Sequence, residues 1–176
     1  RAAIALAVAV PIVFLVYLRI PFDPVLMNRA GAFSFTQLGW LALIYVLLSV
    51  PFFLSGSVLA LTLAGWPGDA GRVYAADLIG AALGCLLSVA ALSRLGGVNA
   101  LLLLSVVLAL AAAAFVSGGG RRRLVPAGLA LLFTAGLLAS NLAAPWLRIV
   151  VNKAGGAEPP IVYERWNIHS RVTVYE

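Results

Sequence analysis

One acidic side chain lies inside a long apolar segment of this sequence, and it is the first candidate for chemistry. Asp77 falls within Val73–Leu92, which at about 20 residues is long enough to cross a bilayer as a helix. A carboxylate in such a segment can bind a proton or another cation. It can also be structural, because it lies near the predicted helix start, where it can reach interfacial water or pair with Arg72. Both interpretations stay open for a candidate polar intramembrane site of Asp77, Arg72 and Tyr74.

A stripe of small residues shares one face of the same predicted helix. Asp77, Gly80, Gly84 and Ser88 recur three or four residues apart, which places them on one side of an α-helix. Gly80 and Gly84 form the small-xxx-small pattern through which membrane helices approach each other closely. The spacing predicts helix packing at Gly80, Gly84 and Ser88, with this helix as the packing centre of a bundle.

The composition identifies an integral membrane protein. Hydrophobic residues make up 63% of the chain and charged residues 10%, and the mean hydropathy is +1.06. Soluble domains average about 45–50% apolar and about 25% charged residues. Apart from Arg121–Arg123, the basic residues occur singly at segment ends and form no continuous face for nucleic acid. The expected partners are the lipid bilayer and other membrane helices or subunits, with no nucleic acid.

Apolar segments predict an all-α integral membrane helix bundle of about five transmembrane helices within residues 1–147. The second segment contains Pro51 and is predicted to be one kinked helix, with a span plus an interfacial extension as the alternative. The five segments are Ala2–Leu18, Thr36–Trp66, Val73–Leu92, Leu101–Val116 and Leu124–Leu147.

Beyond the last apolar segment the sequence changes character. Residues 148–160 form a polar linker that contains Gly and Pro. Ile161–Arg165 and Arg171–Tyr175 are β-prone runs, and the second alternates strictly. Residues 161–176 are therefore predicted to form a short C-terminal β-hairpin. Because a lone hairpin is marginally stable in water, we expect it to be the start of a truncated soluble domain.

No pattern in the sequence predicts a catalytic, cofactor-binding or metal-binding residue. Cys85 is the single cysteine and lies within a predicted span. His169 is the single histidine, and its segment offers no set of partners that would complete a metal site. Gly118–Gly120 leads into three arginines and follows no predicted strand, which is unlike a nucleotide-binding loop.

Two motifs, one in the membrane segments and one in the hairpin, carry a family resemblance. The membrane motif comprises Pro51–Gly56 and Tyr74–Gly84, and the hairpin motif comprises Glu164–Asn167 and Ser170–Val172. Together they resemble the bacterial membrane-fused spermidine synthase-like proteins, in which a multi-helix membrane domain precedes a polyamine aminopropyltransferase domain. The resemblance covers about residues 36–95 and 161–176, and its hairpin part includes Trp166, Asn167, Ser170 and Arg171.

The resemblance implies a Rossmann-like synthase domain that uses decarboxylated S-adenosylmethionine as donor and a polyamine such as putrescine as acceptor. The family's nucleotide loop and carboxylates would lie beyond Glu176, so no catalytic residue and no cofactor are assigned to this chain. The implied function is a membrane domain that anchors the synthase domain. That it also supplies polyamine to that domain is a further expectation, which depends on Asp77 alone. The alternatives are a non-catalytic structural subunit of a larger membrane complex and a small cation or polyamine transporter.

The implied location is the bacterial cytoplasmic (inner) membrane. Cytosolic substrates require the C-terminal hairpin to lie inside the cell. The run Arg121–Arg123 favours its own side of the membrane as cytoplasmic, which would place the hairpin outside. The sequence therefore leaves the membrane orientation open.

Overall fold

The chain folds into a helical bundle followed by a two-stranded antiparallel hairpin, as the sequence predicts. The computed structural model describes residues 1–23, 26, 34–117, 121–149, 159–167 and 170–176. Most of the predicted linker, Gly118–Gly120 and His169 lie outside the described residues. The elements are α1 (Ala2–Tyr17), α2 (Phe35–Gly65), a 3-10 turn (Pro67–Asp69), α3 (Ala70–Val116), α4 (Arg121–Ala143), β1 (Ile161–Trp166) and β2 (Arg171–Tyr175).

Three of these helices, α2, α3 and α4, are long and apolar enough to cross a membrane, and α1 is a shorter apolar helix. Their outer surfaces carry large apolar side chains, such as Phe52 and Leu86, which are 78% and 73% exposed. Soluble proteins rarely expose continuous apolar surface of this kind. The structure therefore agrees with a membrane protein.

The number of helices differs from the five that the apolar segments predict. The described residues form four α-helices, because the third and fourth predicted segments both belong to the 47-residue helix α3. Within α3, Gly96 has φ 75° and ψ 168°, a conformation that interrupts the helix and is essentially restricted to glycine. The interruption divides α3 into a first arm (residues 70–95) and a second arm (residues 97–116). The sequence assigns residues 93–100 to a connection, whereas one glycine is enough to break the helix.

The buried core lies among α1, the second arm of α3 and α4. Small side chains dominate the contact between the second arm and α4, which lets the two helices approach closely. The buried hydroxyls bond to carbonyls of their own helices, Ser105 to Leu101 at 3.1 Å and Thr134 to Leu131 at 3.2 Å. The buried residues of the second arm and of α4 include Leu102, Ser105, Ala109, Ala112, Ala127, Ala130 and Thr134.

Helix α2 packs against α1, and polar contacts fix where it begins. The Ser34 hydroxyl accepts a hydrogen bond from the Gln37 amide at 3.4 Å, which caps the helix. The Gln37 side-chain oxygen in turn accepts from the Asp23 amide at 3.0 Å. The two ends of the α1–α2 connection are thereby joined. The helix continues through Pro51, so the prediction of a single helix is confirmed.

The first arm of α3 is exposed on all sides, since every residue from 74 to 90 is exposed. The prediction that this helix is the packing centre of the bundle is therefore wrong within the described residues. A stripe of small residues indicates that a helix can be approached closely, but it does not identify the helix that approaches. In this chain the close contact forms between the second arm and α4.

We expect Ala109→Leu to destabilise the bundle by about 1–3 kcal/mol, because the added atoms must enter a fully packed contact. Ala109 is 0% exposed. The measurement is reversible unfolding in mixed detergent micelles, followed by helical circular dichroism. Ala82→Leu is the matched control, since the same change on the exposed first arm meets open space. Equal losses of stability in the two variants would contradict the observed core.

Candidate functional site at the junction of the hairpin and α3

Trp166 brings the hairpin into contact with α3. Trp166 is the last residue of β1, and its indole lies against the backbone of α3 at the break. A Cβ built on Gly97 would lie 2.7 Å from Cη2 and 2.8 Å from Cζ3 of the indole. A Cβ on Gly96 would lie 3.4 Å from Cδ1. Only glycine at position 97 lets the ring take this place.

Glu164 holds the indole from the hairpin side. The indole Nε1 donates a hydrogen bond to Glu164 Oε1 at 2.6 Å, and Arg171 Nε donates to the same oxygen at 2.9 Å. Arg171 faces Trp166 in the strand register, and its side chain is only 15% exposed. The three side chains form one connected group at the end of the hairpin next to α3.

The pKa of Glu164 reflects this environment. Partial burial raises the pKa of the carboxyl, but the hydrogen bonds from Arg171 and Trp166 stabilise the charged form. The positive charges of Arg171 and Arg148 act in the same direction. The net result is a pKa below the ordinary glutamate value, so Glu164 is ionised at neutral pH.

Asn167 and Ser170 close the hairpin beyond Trp166. The Asn167 amide donates to the Ser170 carbonyl at 3.0 Å, and the Ser170 amide donates to Asn167 Oδ1 at 2.7 Å. Two of the residues that carry the hairpin motif of the sequence, Asn167 and Ser170, thus bond to each other where the strands end, while Trp166 lies against α3.

A pair of asparagines lies beside the break in α3. Asn99 Nδ2 donates to the Leu95 carbonyl at 3.1 Å, and Asn141 Nδ2 donates to Asn99 Oδ1 at 2.7 Å. Asn141 is 2% exposed, and its Oδ1 accepts from the backbone amides of Trp146 and Leu147 at 3.1 and 2.8 Å. This network joins the break, the end of α4 and the chain that follows α4. We refer to Gly96, Gly97, the two asparagines and the Trp166 group together as the junction.

The sequence shows Asn99 and Asn141 as polar residues near the ends of apolar segments, and no local pattern in it indicates that they pair. Their pairing was missed because they lie 42 residues apart. The available signal was that two carboxamides fall at the ends of consecutive apolar segments, the first introducing one segment and the second closing the next. If two such segments form antiparallel helices, these ends lie side by side, and the two side-chain amides can hydrogen-bond to each other.

The candidate polar intramembrane site is not brought together in this chain. Asp77 is exposed on the first arm, and Tyr74 is 56% exposed. Arg72 Nη1 pairs with Asp69 Oδ1 at 3.1 Å. The suggested pairing of Arg72 with Asp77 is therefore replaced by a pairing with the acid that precedes the helix, three residues before Arg72. A role of Asp77 toward a proton or a cation stays a prediction.

The predicted packing residues also lie away from the junction. A Cβ at Gly80 or Gly84 would have nothing within 4 Å, and the Ser88 hydroxyl bonds to the Cys85 carbonyl of its own helix at 2.8 Å. Their packing against another helix stays a prediction. Within the part of the chain that the structure describes, no cluster of three or more His, Cys, Asp or Glu side chains is suited to a metal ion.

Gly97→Ala is expected to displace Trp166 and weaken hairpin docking by about 1–3 kcal/mol, because the methyl group overlaps the ring. Hydrogen–deuterium exchange of residues 161–175 should become faster, while exchange of α4 stays unchanged. Gly136→Ala is the matched control, because a Cβ there meets nothing within 4 Å. Unchanged protection of the hairpin in Gly97→Ala would contradict the contact.

Acid is expected to loosen the hairpin through Glu164. A lowered folded pKa contributes stability that is present above the unfolded value of about 4.3 and is lost as the pH falls through the folded value. With the other tryptophans replaced by phenylalanine, Trp166 emission should shift to the red as the pH falls below the ordinary glutamate pKa of about 4.3 and through the lowered folded value. Glu164→Gln should remove this pH response. An identical acid response in that variant would show that another group is responsible.

No family model, curated protein or solved structure matches the chain. Its functional interpretation therefore depends on the junction, on the exposed first arm and on the resemblance carried by the sequence motifs.

Proposed function

We propose that the chain is the membrane domain of a spermidine synthase-like protein, which anchors a soluble aminopropyltransferase domain. The observation that carries the proposal is the seating of Trp166 against Gly97. This contact fixes the first two strands of the soluble domain directly on a membrane helix. A flexible tether would need no such contact.

The hairpin itself supports a continuing sheet. A two-stranded sheet is marginally stable on its own, and this one leaves its apolar side chains open. Val162 is 64% exposed and Val174 is 50% exposed. Further strands of a synthase domain would pair with a hairpin edge, and the layers packed on the enlarged sheet would cover these side chains. Trp166 then holds the enlarged sheet in a fixed place relative to the bundle.

Five membrane crossings belong to the same proposal. The break at Gly96 separates a first arm of residues 70–95 from a second arm of residues 97–116. Each arm has about the 20 residues that a span requires. With α1, α2 and α4 the chain then crosses five times, which puts the hairpin opposite Arg1. Because the substrates of the proposed reaction are cytosolic, we expect the hairpin to lie on the cytoplasmic face of a bacterial inner membrane.

A second candidate function is a non-catalytic subunit of a larger membrane complex. The observation that favours it is the first arm, whose residues 74–90 are all exposed. The arm carries Gly80 and Gly84, where another helix can approach to the backbone. In this case the hairpin would join the sheet of a partner subunit.

The deciding experiment measures the mass and the activity of the native polypeptide. The chain described here has a mass of 18.3 kDa. We expect a much heavier native protein whose membranes convert putrescine and decarboxylated S-adenosylmethionine into spermidine and methylthioadenosine. Trp166→Ala should lower this membrane-bound activity, and Trp40→Ala is the control outside the junction. A native chain of about the present mass, copurifying with other subunits, would refute the anchor and support the second candidate.

A further inference from the structure

An open groove lies at the end of the bundle opposite the junction. It has a volume of about 700 Å³ and is formed where α1 and α4 begin and where α2 and α3 end. Its walls are mainly apolar, with Val58, Leu61, Phe115 and Pro126 among the lining residues. Such a groove, open at a bundle end, suits a chain-like apolar ligand.

The groove is positively charged at its mouth. Arg122 and Arg1 line it, both are exposed, and none of the lining residues is acidic. Arg122 makes no ion pair with any residue that the structure describes. The nearby acid Asp69 already pairs with Arg72 at 3.1 Å. An anion at the mouth would therefore meet cations without competition from a carboxylate of the lining.

Trp66 marks the depth of the groove in a bilayer. Trp66 follows the last residue of α2, lines the groove and is 54% exposed. Tryptophan at a helix end is typical of the membrane interface, where headgroups and acyl chains meet. The cations of the groove thus lie at headgroup level, and its apolar walls lie beside the acyl region.

From this combination we infer that the groove is a binding site for an anionic phospholipid. The phosphate headgroup binds Arg122, and one acyl chain lies between the start of α1 and the end of α2. A cation such as a polyamine is disfavoured in the same place by the two arginines. The inference depends only on the membrane domain and is independent of the proposed synthase anchor.

The test uses the full chain in bilayer nanodiscs of phosphatidylcholine and phosphatidylglycerol in equal amounts, with retained lipids counted by native mass spectrometry. The wild-type protein is expected to retain phosphatidylglycerol in preference to phosphatidylcholine. Arg122→Gln should reduce that preference about fivefold, the effect of one arginine near an anionic headgroup. Arg122→Lys should keep most of it, and Arg72→Gln, which alters an arginine outside the groove, should leave it unchanged.

A second variant tests the apolar part of the site. Val58→Trp fills the groove and keeps both arginines, so it should remove the retained lipid, while an unaltered circular dichroism spectrum confirms folding. Three results would overturn the inference. They are no lipid preference in the wild-type protein, equal losses in Arg122→Gln and Arg72→Gln, and wild-type retention in Val58→Trp.

Discussion

Contact between the Trp166 indole and the bare backbone at Gly97 determines how the C-terminal end of the molecule is arranged. A side chain at position 97 would place its Cβ 2.7 Å from the ring, so the indole reaches α3 only because that Cβ is missing. Gly96 has a different task, since its φ of 75° interrupts the helix. One glycine breaks the helix and the next admits the hairpin. Because Trp166 ends β1, the position of the hairpin follows from the position of the break.

Breaking a membrane helix leaves backbone groups that need new partners, since an unsatisfied group in lipid costs several kcal/mol. Asn99 meets part of this need by donating a hydrogen bond to the Leu95 carbonyl. Asn141 Nδ2 in turn donates to Asn99 Oδ1. Asn141 also accepts from Trp146 and Leu147, which follow α4. The same side-chain amide therefore supports the break and holds the chain that directly follows α4. The packing of the bundle and the docking of the hairpin therefore both depend on the structure at the break.

Local patterns in the sequence predicted most of the secondary structure, because apolar length and alternation are properties of single segments. Helix α2 lies within one residue of its predicted bounds, and both strands occur at the two predicted β-prone runs. Partners were not predictable in this way. The Asn99–Asn141 pair, the seating of Trp166 on Gly97 and the pairing of Arg72 with Asp69 depend on which segments meet in space. A stripe of small residues likewise indicates that another helix can approach closely, but it does not indicate which helix.

The first arm of α3 connects the two ends of the molecule. It begins just after Trp66, which lines the basic groove, and it ends at Gly96, which lies against Trp166. Residues 74–90 between these points are all exposed. Their position is therefore set by the two ends and by whatever lies against them in the membrane. The second arm and α4 also run between the groove and the junction, but they contribute buried residues to the core, whereas the first arm leaves its middle exposed.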